Sequence, residues 1–284
     1  MSSLKIKKNE LIFKLFWQME LGADEAILLK PSSQEKMVSF REYFFTLEQN
    51  LEIETIGGKV RSDSLKSGKS AHGFDSRIRK LKETSTSSIN ENQLEAFKSL
   101  EELKVALELF DGSSLKNTAS NFVFSDGNVD AKTMIIGEAP GKEEDKIGVP
   151  FVGQAGQLLD KMLNSIGMER NQTYITNYIP WRPPGNRAPS QEEIGIFKPF
   201  IIRHIQLKKP KFILALGGVS AKALLEVETG ILKLRGQFYL KDFGLEQPIP
   251  ILPTLHPAYL LRSPAQKKFV FSDLVKLKRA LLAL

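Results

Sequence analysis

The chain has 284 residues, of which 40 are lysine or arginine, 33 are aspartate or glutamate and none is cysteine. The lack of cysteine excludes disulfide bonds, thiolate zinc sites and cysteine-ligated iron–sulfur clusters. No run approaches the roughly 18 uncharged apolar residues of a membrane span, and the N-terminus does not resemble an export signal, so a cytoplasmic protein is predicted. The net charge of +7 permits an anionic partner such as nucleic acid without requiring one.

The first part of the chain divides by composition into two regions. Apolar residues recur at helical spacing over 8–21, and a second apolar patch follows at 40–45, which predicts a small helical extension over 1–56. Residues 57–92 are rich in Ser, Lys, Thr, Gly and Glu, and they bury too little apolar surface to offset the entropy of ordering them. The sequence therefore predicts a flexible linker there and a folded domain over 93–284.

Short β-rich runs alternate with helical patterns in this domain. The predicted strands lie at 133–136, 173–178, 212–216 and 249–255. The predicted helices lie at 94–110, 154–166, 190–207, 219–226 and 265–283. This alternation is typical of an α/β fold, here a three-layer α/β/α sandwich with a central four-stranded parallel sheet. Ligands of such sheets bind beyond the carboxyl ends of the strands, so the loops there form the candidate site.

Three of these loops carry candidate functional residues. The first strand runs into Gly137-Glu138-Ala139-Pro140-Gly141, and Phe151 follows as a single aromatic residue among small ones. The second strand ends in Asn177, and the fourth leads into His256-Pro257. Taken singly, each loop has a structural alternative: a turn or phosphate site for the glycines, a turn or cap for the asparagine and a structural role for the histidine.

Together, the three loops resemble those of the family 4 enzymes of the uracil-DNA glycosylase superfamily. The resemblance covers about 107–284 and is carried by 137–159, by 173–189, which reads TYITNYIPWRPPGNRAP, and by 256–262. It implies an enzyme that flips uracil out of DNA and hydrolyses its N-glycosidic bond, leaving an abasic site. The alternative is a catalytically weak DNA-binding or damage-sensing module of the same fold.

The resemblance implies a role for each residue of the site. Phe151 stacks on the flipped base, Asn177 reads the edge of uracil, and His256 donates a hydrogen bond to O2 of the departing base. Glu144 either orients the water or excludes the thymine methyl group, with a surface carboxylate in a charged run as the alternative. The remaining base-contacting residues expected from the resemblance are Glu138, Ala139 and Gly141.

The resemblance also implies contacts with DNA. The expected contacts are Arg187, Gly218, Ser220, Leu260, Leu261 and Arg262. The two leucines resemble a minor-groove wedge that fills the gap left by the flipped nucleotide, although leucines at a helix start would look the same. Gly218 and Ser220 open a helix and offer an amide and a hydroxyl to a phosphate. The expected partner is uracil-containing DNA, with no membrane, and the protein is expected to be a monomer.

The chain departs from this family at one feature. Family 4 enzymes typically hold an iron–sulfur cluster on four cysteines, and alignment on the flanking residues puts Phe110, Ser113, Trp181 and Phe197 at those positions. None of these side chains ligates iron as a thiolate does. The sequence therefore predicts that the cofactor is absent and that an apolar plug fills its volume.

Overall fold

The computed structural model describes residues 94–284. The predicted helical extension over 1–56 and the predicted linker over 57–92 lie outside this range. Within it, no helix is long and apolar enough to cross a membrane.

The described residues form alternating strands and helices. The strands are β1 (Ser125–Gly127), β2 (Thr133–Gly137), β3 (Thr173–Asn177), β4 (Phe212–Leu216), β5 (Tyr239–Lys241) and β6 (Ile249–Thr254). The helices are α1 (Leu100–Leu109), α2 (Leu115–Thr118), α3 (Lys142–Ile147), α4 (Gln154–Asn164), α5 (Gln191–Lys208), α6 (Gly218–Leu225), α7 (Ile231–Leu234), α8 (Pro257–Arg262) and α9 (Lys267–Leu282).

The sheet has the strand order β1-β3-β2-β4-β6-β5. Its four central strands are parallel and are the four strands that the sequence predicts. The prediction of four strands is wrong in number, because β1 pairs antiparallel with β3 and β5 pairs antiparallel with β6. Each of these edge strands has only three residues and no buried apolar run, so neither carries a pattern that identifies a strand.

Helices cover both faces of the sheet, which confirms the predicted α/β class and its three layers. Alternate side chains of a strand point to opposite faces. On one face, Met134 and Ile136 of β2 belong to an apolar cluster that includes α1 and α5. On the other, Ile135 is fully buried, and α4 there packs against α8 and α9. The strands β2, β3 and β4 are therefore buried along their whole length, and β2 and β4 are correspondingly rich in apolar residues.

Local capping sets the helix boundaries. The helix predicted over 94–110 is interrupted: residues 94 and 95 are helical, and α1 begins at Leu100, where the side chain of Ser99 accepts a hydrogen bond from the backbone N–H of Glu102. Leu94 and Phe97 are nevertheless buried. Ser190 and Glu193 form a reciprocal capping box that starts α5.

The register of the sheet aligns the predicted loops. Gly137 at the end of β2 pairs with Asn177 at the end of β3, and Leu216 at the end of β4 pairs with Thr254 at the end of β6. The loops that follow these four residues therefore leave the sheet on the same side, at the carboxyl ends of the parallel strands. This side is the carboxyl edge of the sheet.

Candidate active site

A cavity of about 640 Å³ opens at this edge of the sheet. It brings together the three residues that the sequence places in separate loops: Phe151, Asn177 and His256. Glu138, Ala139, Gly141 and Glu144 also line it. The predicted base-contacting residues are thus assembled around one space, which is within the size range of small-molecule sites.

Asn177 and Phe151 line the cavity, and Gly137 lies directly beside both side chains. Asn177 is 5% exposed, and within residues 94–284 its Oδ1 atom has no hydrogen-bond partner although it is buried. A Cβ atom at Gly137 would lie 2.3 Å from this Oδ1 and 2.6 Å from Cζ of Phe151. Only glycine fits such a close approach. The unpartnered acceptor is therefore held at a fixed position beside an aromatic ring.

Phe151 and His256 are neighbouring rings in the lining of the cavity. Their ring centroids lie 5.7 Å apart with an interplanar angle of 31°. Phe151 is buried and has a left-handed backbone conformation, with a φ of 54°. Non-glycine residues adopt this conformation at a cost, so the surrounding contacts must hold the residue there.

The position of His256 defines which of its nitrogens carries hydrogen. Its Nδ1 atom accepts a hydrogen bond from the backbone N–H of Ala258 at 3.1 Å and so caps α8. Burial, and then the positive charge of Arg262, lower the pKa of His256 from 6.5 to about 4, against a smaller opposing effect of Glu144. The ring is therefore neutral at pH 7. Because Nδ1 is the acceptor, Nε2 carries the single proton and is a hydrogen-bond donor.

Two acidic side chains line the cavity, and their surroundings differ. Glu144 is buried, and its Oε1 atom accepts hydrogen bonds from the backbone N–H groups of Val152 at 2.9 Å and Gly153 at 2.8 Å. Burial raises the pKa of the Glu138 carboxyl above its ordinary value. Glu144 is therefore bonded to the segment that follows Phe151, whereas Glu138 is distinguished by its desolvation.

A third carboxylate, Asp145, lies next to Glu144 in α3 but faces another part of the structure. Its Oδ1 atom accepts hydrogen bonds from the backbone N–H groups of Ser120 at 2.7 Å and Asn121 at 3.1 Å. Its Oδ2 atom lies 3.7 Å from Nη1 of Arg182. Asp145 thus joins α3 to the segment after α2 and does not line the cavity.

Comparison with known proteins agrees with this geometry. The family model of the uracil DNA glycosylase superfamily matches residues 124–276. The chain belongs to this superfamily. It is 39% identical over 185 residues to a type-4 uracil-DNA glycosylase of Sulfurisphaera tokodaii, covering 63% of this chain and 84% of that protein. It is 38% identical over 179 residues to a type-4 uracil-DNA glycosylase of Pyrobaculum aerophilum, covering 62% of this chain and 91% of that protein.

Two of the residues predicted to contact DNA, Leu260 and Ser220, have buried side chains. Leu260 is fully buried, because His256 and Pro257 start a helix and α8 packs its inner face against α4. Ser220 is also fully buried, and its hydroxyl donates to the carbonyl of Leu216 at 2.7 Å, as serines in helices commonly do. Neither side chain is accessible to DNA in this structure, so burial does not support these two contacts, which stay predictions.

The other predicted DNA contacts surround the mouth of the cavity. Gly218, Arg187 and Arg262 line it, and Leu261 is 44% exposed at the end of α8. Arg187 makes a bidentate pair with Glu193, with N–O distances of 2.8 and 2.6 Å, and this pair lowers the pKa of Glu193. The accessible wedge candidate is therefore Leu261, with Arg262 beside it.

Some residues of the site were not identified from the sequence. Ile231 and Leu232 of α7 line the cavity, and Leu232 is largely exposed. A helix of four residues has too few apolar positions to show a period, so no sequence signal existed for it. Tyr259 also lines the cavity. It lies within 256–262, and the motif in this segment was the sequence signal that could have identified it.

The residues at the family's cluster positions do not fit an iron–sulfur cluster. The rings of Phe110 and Phe197 meet edge to face at a centroid distance of 6.3 Å, and both are buried. The indole N–H of Trp181 is buried, and it is a donor rather than a ligand. Ser113 accepts a hydrogen bond from the backbone N–H of Leu115. Among residues 94–284, no group of three or more His, Cys, Asp or Glu side chains is arranged to hold a metal ion.

Proposed function

We propose that this protein excises uracil from DNA by hydrolysing the N-glycosidic bond. The observation that carries the proposal is the buried, unpartnered Oδ1 atom of Asn177 beside Phe151, in the same cavity as the Nε2 donor of His256. A buried polar atom without a partner costs free energy, which a ligand that completes its hydrogen bonds returns.

The cavity recognises the base by two kinds of contact. The ring of Phe151 offers a stacking face to a flipped base. The Asn177 amide accepts from N3–H of uracil through Oδ1 and donates to O4 through its NH₂ group. Cytosine lacks the N3 hydrogen and carries an amino group at C4, so the same amide meets a mismatched pattern. The site therefore selects uracil over cytosine by hydrogen bonding.

His256 assists departure of the base. As the bond between C1′ and N1 breaks, its electron pair leaves with uracil and positive charge develops on the sugar. The Nε2–H group of His256 donates to O2, where negative charge accumulates, and the proton stays on the imidazole. Arg262, which is close enough to lower the pKa of His256, adds favourable electrostatics for the anion. Water then adds to C1′ and releases its proton to a base or to solvent.

The geometry favours Glu138 over Glu144 as the carboxylate that positions this water. Oε1 of Glu144 already accepts two backbone hydrogen bonds, which supports a positioning role for Glu144 next to Phe151. Glu138 lines the cavity, and its raised pKa suits a group that takes up a proton. The Glu138→Gln variant should therefore lose more activity than Glu143→Gln, a matched change at an exposed residue of the neighbouring helix.

The enzymatic function is favoured over a damage-sensing module by one feature. A binding module needs a stacking ring and a base-reading amide, but it has no use for a donor directed at the leaving group. The hydrogen bond from Ala258 that fixes the His256 tautomer supports a role in bond cleavage.

The decisive experiment uses an oligonucleotide with a single uracil. After incubation with the protein, alkali cleaves the strand wherever an abasic site has formed. We expect scission with the wild type, and losses of about a hundredfold or more in the single-turnover rate for Asn177→Ala and His256→Ala. An exposed control change such as Leu282→Ala should leave the rate unchanged. A wild type that yields no scission contradicts the proposed function.

We also propose that the protein works without an iron–sulfur cluster, binds uracil-containing DNA as a monomer and acts in the cytoplasm. The aromatic side chains at three of the four cluster positions support the first part. The purified protein should contain no stoichiometric iron and show no absorption band near 400 nm, a wavelength region typical of such clusters. Iron at one cluster per chain contradicts this part, and size-exclusion chromatography with light scattering tests the monomer.

A further inference from the structure

We propose that Arg170 is a positioning residue that holds Phe151 in its stacking conformation, an inference that rests on the proposed function. Arg170 lies before β3, outside the segments that carry the resemblance to the family's site. It does not line the cavity, so its role would be exerted through the residues that it contacts.

The guanidinium group of Arg170 binds the main-chain carbonyls of the two peptide groups that flank the Cα atom of Phe151. Its Nη2 atom donates to the carbonyl of Pro150 at 2.6 Å, and Nη1 donates to the carbonyl of Phe151 at 3.0 Å. A planar fork with fixed donors is suited to holding two carbonyl groups at once. Two consecutive carbonyls are therefore fixed by one side chain.

Two carboxylates hold the guanidinium itself in place. Nε donates to Oδ2 of Asp126 at 2.6 Å, and Nη1 also donates to Oδ1 of Asp160 at 3.1 Å. Asp126 belongs to β1 and Asp160 to α4. Arg170 thus connects the loop around Phe151 to an edge strand and to a helix, and both of these are part of the rigid fold.

The other side of Phe151 is held by Glu144. Its Oε1 atom accepts from the N–H groups of Val152 and Gly153, so the carbonyls before this point and the amides after it are bound by opposite charges. A Cβ atom at Gly156 would lie 1.9 Å from the carbonyl oxygen of Phe151, so α4 approaches the loop as closely as glycine allows. These contacts together maintain the left-handed backbone of Phe151.

This conformation matters because the ring position depends on it. A left-handed non-glycine residue is less stable than one in an ordinary conformation, so it persists only where neighbouring contacts hold it. Without the Arg170 contacts, the loop is free to relax, and the ring then leaves its place beside His256 and Asn177. A displacement of about 1 Å at a reacting group costs up to about a hundredfold in rate.

A double-mutant cycle tests the inference with single-turnover excision from the uracil oligonucleotide. Arg170→Gln should lower the rate about tenfold to a hundredfold. In the Phe151→Ala background, the same change should have little further effect, less than about twofold, because the residue through which Arg170 acts is gone. Arg170→Lys keeps the charge but not the fork and should retain an intermediate rate.

The matched control is Arg203→Gln. Arg203 also donates to two main-chain carbonyls, those of Glu95 and Phe97, but it lies away from the cavity. All variants are assayed well below their melting temperatures. We expect Arg203→Gln to lower stability and leave the rate near that of the wild type.

Three outcomes overturn the inference while leaving the proposed function intact: Arg170→Gln with the wild-type rate, losses from Arg170→Gln and Phe151→Ala that multiply in the double variant, or an equal loss of rate in Arg203→Gln. If the wild type itself excises no uracil, the proposed function fails first, and this result is distinguishable because every variant is then compared with an inactive parent.

Discussion

His256 accepts a hydrogen bond at Nδ1 from the backbone N–H of Ala258, two residues further along the chain. The same contact caps α8 and leaves Nε2 as the ring nitrogen that can donate a hydrogen bond, on a residue that lines the cavity. One interaction of local structure thus determines both where the helix starts and which chemistry the imidazole can perform.

The first prediction concerns the pH dependence of excision. Because the pKa of His256 is lowered to about 4, its ring stays neutral across the range from about pH 5.5 to 8. The single-turnover rate of the wild type should therefore show no titration of His256 near pH 6.5. Its pH profile in this region should have the same shape as that of His256→Gln. A rate that rises as the pH falls through 6.5 in the wild type, but not in this variant, means that a protonated imidazole is the active form.

The second prediction concerns acid stability and His204. Burial lowers the pKa of this histidine from 6.5 to about 3, and its Nε2 atom lies 2.7 Å from the hydroxyl of Tyr174. Between pH 6.5 and pH 3 the unfolded chain binds a proton there that the folded chain does not, so stability falls as the pH is lowered through this window. The slope of the unfolding free energy against pH is proportional to the number of protons taken up on unfolding. In His204→Gln this number should be smaller by about one, as measured by urea unfolding.

The control for that slope is a variant of the third histidine, His72, which lies outside the described residues. His72→Gln in the same buffers gives the effect of replacing a histidine elsewhere in the chain. A slope that is unchanged in His204→Gln contradicts the assignment of a neutral buried ring.

The third prediction compares two glycines. In Gly137→Ala the new methyl group would meet Asn177 Oδ1 and Phe151, so excision should fall by at least about a hundredfold. In Gly195→Ala the methyl group meets no atom within 4 Å, and the residue lies inside α5. That change should stabilise the protein by about 0.5–1 kcal/mol and leave excision unchanged. Thermal melting and the oligonucleotide assay measure the two effects.

The fourth prediction separates the two leucines of α8. Leu260 is fully buried and Leu261 is 44% exposed. Leu260→Ala should cost about 2–5 kcal/mol of unfolding free energy, whereas Leu261→Ala should cost less than about 1 kcal/mol. If Leu261 fills the gap left by the flipped nucleotide, Leu261→Ala should reduce excision from duplex DNA more than from single-stranded DNA. Equal losses on both substrates argue against a wedge at this position.

The fifth prediction concerns the apolar side chains at the positions where family 4 enzymes typically carry the cysteines of an iron–sulfur cluster. Phe197 is fully buried, so Phe197→Ala should lower the free energy of unfolding by about 3–5 kcal/mol. Phe238, which is 38% exposed, provides the control, and Phe238→Ala should cost about 1 kcal/mol or less. Urea unfolding monitored by circular dichroism checks both values. A small effect at Phe197 contradicts a packing role for that ring.

The four parallel strands could be predicted from short runs rich in apolar and β-branched residues, and most helices from an apolar period on one face. The edge strands β1 and β5 have no such run. The helix start near Leu260, given as the alternative to a wedge, is present, and a proline at the first helical position after a capping residue favours it.

The assembly of the site could be predicted only in part. The loops at the carboxyl edge were located correctly because parallel strands present their ends together. The contacts of Arg170 with the carbonyls of Pro150 and Phe151 could not, because they join residues distant in sequence and depend on how α4 and β1 approach one another. Neither side-chain periodicity nor charge pattern encodes such a contact.

The aromatic packing around Phe110 and Phe197 also affects how the protein matures and how it responds to oxidants. Thiolate-bound clusters must be supplied with iron and sulfide after synthesis, and oxidants attack thiolates. A core held by ring contacts completes itself as the chain folds, and the chain offers no thiolate to attack. Peroxide should therefore leave the packing of this region intact, whereas heat and denaturant should disrupt it.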